Sequence, residues 1–514
     1  MVASGILLSR LVGLVRNRVF AHYFGTSDAA DAFNAAFRIP NFLQNLFGEG
    51  VLSASFIPVY AGLRARGDEL EARRVAAAVA ALLALVTAGL VLIGVALTPW
   101  LIAVIAPGFG GDKREATIRL VRILFPGAGL LVLSAWCLGV LNSHRRFFLS
   151  YAAPVLWNLA IIASLIAFGG RRSAYDLAEI AAWGSVAGSL LQFAVQFPTV
   201  LRLLEGMWPR LVRGSAQVRE VLRSFGPVFV GRGVVQISAY VDTVLASLLP
   251  TGAVAGLSYA QVLYTLPVSL FGMSVSAAEL PAMASAVGTE TERAAYLRER
   301  LGAGLRQIAF FVVPSAMAFL ALGDVIAAAI FQTGRFTHGD AIYVWGILAG
   351  SAVGLLATTL GRLYSSTYYA LRDTRTPLKF ALVHVSIATA AGYIAAIVVP
   401  PRLGVPALWG TAGLTLAASL AGWIELLLLR SSLNRRIGHT GLPLEFSVRV
   451  WGAAAAAAAL ALAIKYFLPL MHPVLRALVV LLPYGMVFMG LCLAARVPEA
   501  RWALTRYFKR SPVI

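Results

Sequence analysis

Long apolar runs follow one another along the whole chain, separated by short polar or basic stretches. About fourteen of them reach the roughly 20 residues that an α-helix needs to cross a bilayer. They lie at 4–24, 29–61, 75–106, 117–141, 150–169, 175–201, 219–249, 253–285, 304–323, 341–370, 379–399, 405–429, 446–468 and 474–495. The pattern predicts an all-α polytopic membrane protein, with a count that depends on how the long, polar-interrupted second and tenth runs are divided.

The composition excludes the other protein classes. Of 514 residues, 59% are hydrophobic and only 13% are charged, and the mean hydropathy is +0.79. Soluble domains carry roughly a quarter charged residues, and disordered or collagenous chains are far less apolar. The first run contains Arg10, Arg16 and Arg18, so it lacks the charge-free centre of a cleavable signal peptide and we expect it to be retained.

The net charge of +20 is distributed unevenly between the connections. Arginine-rich connections lie at 64–74, 145–146, 202–223, 293–306, 372–379, 430–436 and 501–510, and they alternate with connections that hold few positive charges. The positive-inside rule therefore predicts an even number of spans with both termini in the cytoplasm. Because the positive charges do not form one patch, we expect them to interact with membrane lipids and not with nucleic acid.

The basic connection at 203–218 resembles a linker between two helical lobes. We predict a first six-helix lobe at 1–202, a second at 219–429, and two further helices with a basic cytoplasmic tail at 430–514. A weak internal repeat supports the division. A tight turn at 25–28 and another at 250–253 are each followed by a helix of small residues and then by two prolines. Parallel repeats of this kind occur in secondary transporters.

Motifs of soluble enzymes are missing from the sequence. None of the four lysines follows a glycine, so there is no Walker A phosphate loop. The six histidines are scattered without metal-ligand spacing. Cys137 and Cys492 lie inside apolar runs, where they are expected to be small core residues and not a disulfide. The sequence predicts neither an enzyme nor a bound metal or cofactor.

Ionisable residues inside the spans are the informative ones, because each is costly unless it is paired or faces an aqueous cavity. In the second span the polar positions are separated by 3, 4, 3 and 4 residues, which places them on one helical face; they are Asp31, Asn34, Arg38, Asn41 and Asn45, and Glu49 follows. Asp31 and Arg38 are seven residues apart and are predicted to neutralise each other in part. The arginines of the first span remain in excess.

Two interpretations of these residues stay open at this point. They could form a buried polar network that holds helices together, with arginines near helix ends reaching the headgroups. Alternatively, they line a water-accessible cavity whose positive charge recognises an anion, since the guanidinium matches phosphate oxygens bidentately. An apolar wall beside such a centre suits a substrate with a phosphate head and a lipid tail.

Several motifs resemble the MurJ/MviN family. They are Ser9–Arg16, Gly25–Phe33, Phe37–Asn41 through Phe47–Gly50, Ser55–Pro58, Leu138–Asn142 with Arg146–Phe147, Pro154–Asn158 and Leu371–Pro377. The resemblance implies a fourteen-helix member of the multidrug/oligosaccharidyl-lipid/polysaccharide exporter superfamily in the bacterial inner membrane. It also implies a flippase that moves the undecaprenyl-diphosphate-linked peptidoglycan precursor, lipid II, to the outer leaflet by alternating access.

The resemblance implies a set of substrate and cavity residues: Ser9, Arg10, Arg16, Asp31, Asn41 and Glu49. Secondary candidates that the resemblance does not itself supply are Arg38, Gln44 and Arg232, the last as a replacement positive charge in the seventh span. The chain departs from the family pattern in three places. Asn17 stands where many relatives have an acid, Gln44 where they have an arginine, and Gln261 with Val262 where they have an Asp-Arg pair. These departures thin the cationic cluster and leave the exact lipid-linked substrate open.

Asp242 in the seventh span is a candidate for ion coupling. The resemblance to sodium-coupled relatives implies that it ligates a cation, whereas it could instead pair with Arg232. The eleventh span lacks the Asn or Asp that would complete a cation site. A cation gradient and the membrane potential, which is worth about 2.3 kcal/mol per charge per 100 mV, both remain open as energy sources.

Three alternatives to a lipid II flippase stay open. The chain could flip another polyprenyl-diphosphate oligosaccharide, because the family's arginines are partly missing. A drug or cation antiporter of the same superfamily would need a more acidic cavity than this basic first lobe offers. The chain could also be a non-transporting scaffold for envelope-synthesis enzymes. The same enzymes are the predicted protein partners of a lipid II flippase.

Overall fold

The computed structural model describes residues 2–47, 49–210, 215–469 and 471–508. Within these ranges it describes all side chains except those of 2–7, 49–51, 53–54, 224, 226–239, 504 and 506–508. The described chain is almost entirely helical, and its β-structure amounts to an isolated bridge between Thr333 and Phe336. Apolar runs longer than a strand can use account for this all-α character.

The first half of the chain forms nine helices in the described residues. They are α1 (Val2–Phe24), α2 (Asp28–Phe47), α3 (Glu49–Ala65), α4 (Glu69–Ala96), α5 (Thr98–Ile105), α6 (Gly111–Ser143), α7 (Phe147–Phe168), α8 (Ala174–Leu203) and α9 (Ala216–Ser247).

The second half forms ten more helices in the described residues. They are α10 (Ala253–Pro267), α11 (Ser274–Ala284), α12 (Glu290–Phe331), α13 (His338–Ala370), α14 (Arg375–Tyr393), α15 (Val399–Leu403), α16 (Gly410–Ile437), α17 (Leu444–Phe467), α18 (Pro473–Ala494) and α19 (Pro498–Phe508). π-helical turns at Val268–Met273 and Ile394–Val398 join α10 to α11 and α14 to α15.

The predicted architecture of about fourteen spanning segments is confirmed, because every predicted span coincides with one helix or with consecutive helices. The long second run is two helices, α2 and α3, and the third run is divided into α4 and α5. Pro99 lies in the first turn of α5, where its missing N–H costs nothing. The described chain continues beyond the last predicted span into the short helix α19.

Eleven helical segments of the described chain are long and apolar enough to cross a membrane. The predicted spans that are not among them are those at 4–24, 29–61 and 219–249. These three runs carry the candidate charges Arg10, Arg16, Asp31, Arg38 and Asp242. The charged residues that lower the apolar character of these helices are therefore the ones that require a functional or structural explanation.

Two compact units divide the chain. The first comprises Met1–Ala255 with Thr333–Phe336, and the second comprises Gly256–Gln332 with Thr337–Ile514. In the first unit, a core around Trp136 and Phe56 joins α3, α4 and α6. In the second unit α13 packs closely on α16, since a Cβ on Gly354 would lie 2.6 Å from the Cα of Ser419. The lobe boundary predicted at 203–218 stays a prediction.

Both cysteines are fully buried and unpaired, Cys137 in the first unit and Cys492 in the second. The prediction that they are small core residues is therefore confirmed.

Asp373, in the turn between α13 and α14, organises the start of α14. Its carboxylate accepts the N–H groups of Arg375 and Thr376 at 3.0 Å each and the Thr376 hydroxyl at 2.7 Å, and Arg436 binds it at 2.8 Å. The hydrogen bonds from Thr376, followed by the Arg436 contact, lower the pKa of Asp373 to about 2. Its stabilising effect is therefore complete above the ordinary value near 3.8 and is lost as the pH falls towards 2.

Asp373→Asn is expected to lower the free energy of unfolding of the purified protein by about 1–2 kcal/mol, because it removes a helix-capping carboxylate and a partner of Arg436. Denaturant unfolding at pH 7 in detergent checks this value. Glu220→Gln, an exposed acid in the first turns of α9, is the control and should leave stability unchanged. Equal stability of the two variants would contradict the capping role.

Candidate functional site

Arg16 on α1 lies half-buried in the first unit, and its partners among the described residues are neutral. Its Nε and Nη2 donate to Asn17 Oδ1 at 3.3 and 2.9 Å. Its guanidinium lies 4.9 Å from the centre of the Trp157 ring on α7, a cation–π arrangement. An amide and an aromatic ring orient the guanidinium without neutralising it, so its full positive charge is retained.

Trp157 is itself held by two neighbouring helices. Its Nε1 donates to Ser185 Oγ on α8 at 3.1 Å, and the Phe37 ring of α2 lies 5.7 Å from its ring. The indole therefore has a defined position beneath Arg16. Sequence reasoning did not select Trp157, because an aromatic residue in an apolar run is normally a core residue; its only signal was its place inside the family motif 154–158.

The other candidate residues of α1 and α2 are less constrained than Arg16. Arg10 is exposed, and Ser9, Asn41 and Gln44 are half-buried. None of these four side chains makes a hydrogen bond or an ion pair with another described residue. Two further candidates cannot be placed: the side chains of Glu49, at the start of α3, and Arg232, on α9, lie outside the described residues.

Asp31 is the centre of a tightly connected cluster within the first unit. Its side chain is 1% exposed and lies 2.7 Å from Lys113 Nζ at the start of α6. It also accepts the backbone N–H groups of Gly252 and Ala255, each at 2.8 Å. With a charged donor and two amide donors, this buried carboxylate is fully satisfied. We call Asp31 together with Asp28, Lys113 and residues 251–255 the Asp31 junction.

Lys113 bridges two carboxylates of the Asp31 junction. Its Nζ lies 2.8 Å from Asp28 Oδ1 as well as 2.7 Å from Asp31 Oδ2, and 4.4 Å from the centre of the Phe109 ring. Thr251 donates to Asp28 at 2.8 Å. In the sequence Lys113 stands among the consecutive charges 112–115 of a short connection, where nothing links it to Asp31.

The predicted neutralisation of Asp31 by Arg38 is wrong. Asp31 pairs with Lys113, 82 positions away, because the start of α6 packs beside the start of α2. Arg38 interacts electrostatically with Asp242 on α9, and its backbone carbonyl accepts the Tyr240 hydroxyl at 2.7 Å. The acid near the start of α2 and the arginine near its middle therefore find their counter-charges on different helices.

Two glycines permit close approach of turns in the first unit. Gly252 has φ +94°, and a Cβ there would lie 2.8 Å from the carbonyl oxygen of Thr26. Gly25 has φ +54°, and a Cβ there would lie 2.7 Å from the carbonyl oxygen of Arg335. These glycines bring two segments into direct contact, 25–28 and 250–253. The two segments are the corresponding parts of the weak internal repeat in the sequence.

The segment 333–336 is attached to the end of α1. The side chains of His22 and Thr333 are 2.9 Å apart, and the Arg335 N–H donates to the His22 carbonyl at 2.8 Å. This contact explains why Thr333–Phe336 groups with the first unit.

The site offers no metal centre in the described residues, since no three His, Cys, Asp or Glu side chains lie close enough to hold an ion. Arg10 and Arg16 place two positive charges on α1, and α1 packs against α7, which supplies Trp157 beside Arg16.

Comparison with known proteins identifies the family. The model of the family described as "Lipid II flippase MurJ" matches residues 20–483. The chain belongs to the MurJ family. It is 33% identical over 472 residues to a "Probable lipid II flippase MurJ" of Rhizobium meliloti, an alignment that covers 90% of this chain and 85% of that protein. It is 31% identical over 464 residues to the "Lipid II flippase MurJ" of Burkholderia cenocepacia, covering 88% and 87%.

The fold is that of a solved MurJ structure. A lipid II flippase MurJ in an inward closed conformation superposes with a TM-score of 0.75 at 23% identity, covering 96% of this chain and 99% of that one. The MurJ resemblance predicted from the motifs is confirmed. Membership of a transporter family also agrees with the prediction that the chain is not an enzyme.

Proposed function

We propose that this MurJ-family protein flips lipid II, the lipid-linked peptidoglycan precursor, from the inner to the outer leaflet of the bacterial cytoplasmic membrane by alternating access. The observation that carries the proposal is Arg16: a half-buried guanidinium in a membrane helix, oriented by Asn17 and Trp157, with no acidic partner in the described chain. Such a charge is costly in a membrane unless it meets an anion.

Arg10 and Arg16 bind the diphosphate of the substrate in this proposal. They are six positions apart on α1, and neither has a carboxylate partner among the described residues. Each guanidinium is permanently charged and can donate two parallel hydrogen bonds to phosphate oxygens, so two of them match a diphosphate. The diphosphate has no counter-ion of its own within the lipid. Ser9, Asn41 and Gln44 add polar contacts to the sugar or phosphate groups.

The remaining candidate residues shape and couple the cavity. Asp31 fixes the start of α2 through the Asp31 junction, so it acts through positioning. Arg38 belongs to the polar face of α2, and Glu49 and Arg232 are further candidates for contact with the substrate. Asp242, whose charge interacts with that of Arg38, senses a cation or the membrane potential.

Both termini lie in the cytoplasm in this proposal, because the arginine-rich connections then all lie on the cytoplasmic side. Enzymes of envelope synthesis on either side of the membrane supply lipid II and consume it.

Depletion of this protein from a strain that depends on it tests the function. We expect lipid II to accumulate in the inner leaflet, measured as the fraction protected from an enzyme added outside the cells. Accumulation of a different polyprenyl-diphosphate glycolipid, with lipid II distributed normally, would favour the alternative substrate. Normal distribution of every such lipid would favour a scaffold role.

A further inference from the structure

A basic pocket lies where α6 ends, α7 begins and α8 ends, within the first unit. It is an open pocket of about 590 Å³, a volume typical of small-ligand sites. Its lining combines three arginines with apolar side chains, among them Arg145, Arg146, Arg202, Phe148, Leu149 and Leu203. We call it the α6–α8 pocket. None of these residues belongs to the candidate substrate set described above.

The arginines of the α6–α8 pocket have no acidic partner in the part of the chain that the structure describes. In the described chain, none of the three guanidiniums forms an ion pair. The acid nearest in sequence to Arg202 is Glu205, and it is bound by Arg73, whose Nη2 lies 2.6 Å from Glu205 Oε1. Three positive charges around one cavity therefore favour an anionic occupant.

The backbone at Arg145 has an unfavourable conformation that places two consecutive arginines at the α6–α8 pocket. Its φ is +59°, in the left-handed region that favours glycine. The turn is closed by the Arg145 N–H donating to Asn142 O at 3.0 Å and the Arg146 N–H donating to Leu141 O at 2.9 Å. Glycine would make this turn with less strain, so Arg145→Gly removes the charge and keeps the backbone conformation.

Aromatic side chains mark this region as the level of the membrane interface. Phe148 is 58% exposed at the pocket, and Trp208, just after α8, is 65% exposed. Exposed tryptophans such as Trp208 concentrate where headgroups meet hydrocarbon, whereas Phe148 adds apolar surface to the pocket. The pocket also lies among the arginine-rich connections that the positive-inside rule assigns to the cytoplasm, where the leaflet is anionic.

We propose that the α6–α8 pocket binds an anionic phospholipid of the cytoplasmic leaflet. Arg145, Arg146 and Arg202 hold its phosphate, and its acyl chains lie along Phe148 and Leu203. The assignment commits to a bulk membrane lipid because the pocket is lined by different residues from the Arg10 and Arg16 site proposed for the transported lipid.

Native mass spectrometry of the delipidated full-length protein, titrated with phosphatidylglycerol or phosphatidylcholine, tests this inference. We expect phosphatidylglycerol to bind at least about tenfold more tightly. Arg145→Gly should weaken that binding about fivefold, the effect of one arginine near an anionic surface, while the fold is kept because glycine suits a positive φ. The triple variant Arg145→Gly, Arg146→Gln, Arg202→Gln should lose more than about tenfold.

The chain offers a matched control in Arg496, after α18. It is exposed, has φ +55°, and does not line the α6–α8 pocket. Arg496→Gly removes the same charge from the same backbone conformation and should leave phosphatidylglycerol binding unchanged. An equal loss in both variants, no preference over phosphatidylcholine, or displacement of phosphatidylglycerol from the pocket by equimolar lipid II would each overturn the inference.

Discussion

Arg16→Ala is expected to slow lipid II export about 30-fold while the protein remains folded and inserted in the membrane. The removed guanidinium has no acidic partner in the described chain. Its loss therefore leaves no buried carboxylate without a counter-charge, and we expect the free energy of unfolding to change little. If it holds the substrate diphosphate, truncation removes a charge-assisted contact worth about 2 kcal/mol, which corresponds to that factor. The measurement is the rate at which labelled lipid II in cells becomes accessible to an added enzyme.

Three matched variants distinguish substrate binding by Arg16 from a structural role. Arg16→Lys keeps the positive charge but loses the planar guanidinium that donates two parallel hydrogen bonds, so it should retain only part of the export rate. Trp157→Leu should raise the substrate concentration needed for half-maximal export more than it lowers the maximal rate, because Trp157 positions Arg16 and does not itself carry charge. Arg171→Ala, in the exposed connection after α7, is the control. Normal export by Arg16→Ala would refute the assignment.

The number and position of the spans could be predicted because a membrane helix is specified by consecutive residues and does not depend on contacts with distant parts of the chain. A run of about 20 apolar residues specifies its own helix, and all its backbone hydrogen bonds are local. The division of the second run into α2 and α3 was left open, since both sides of the division are equally helical in pattern.

The candidate site could be predicted only as a set of costly charges. The 3, 4, 3, 4 spacing placed Asp31 and Arg38 on one face of α2, but their partners depend on tertiary packing. Lys113 lies 82 positions from Asp31, and the amide donors of Gly252 and Ala255 have no side-chain signal at all. Trp157 was missed for the same reason, because its function depends on which helix lies against α1.

Asp31→Asn is expected to lower the free energy of unfolding by about 3–5 kcal/mol, the largest stability effect we predict. The carboxylate is 1% exposed and accepts from Lys113, Gly252 and Ala255 together, so its loss leaves a partly buried ammonium and amide donors short of acceptors. Asp28→Asn should cost less than about 1 kcal/mol, because Asp28 is half exposed and makes an ordinary surface pair with the same lysine. Chemical unfolding of the purified variants and their steady-state amounts in membranes measure both effects.

The double variant Asp31→Lys with Lys113→Asp distinguishes a simple ion pair from the Asp31 junction. A simple pair would regain stability on exchange of its charges. In the Asp31 junction position 31 must supply an acceptor to two backbone N–H groups, so a lysine there buries a cation against donors whatever stands at 113. We therefore expect the exchange to be at least as unstable as Asp31→Asn; recovery towards the stability of the unmodified protein would show that the backbone contacts contribute little.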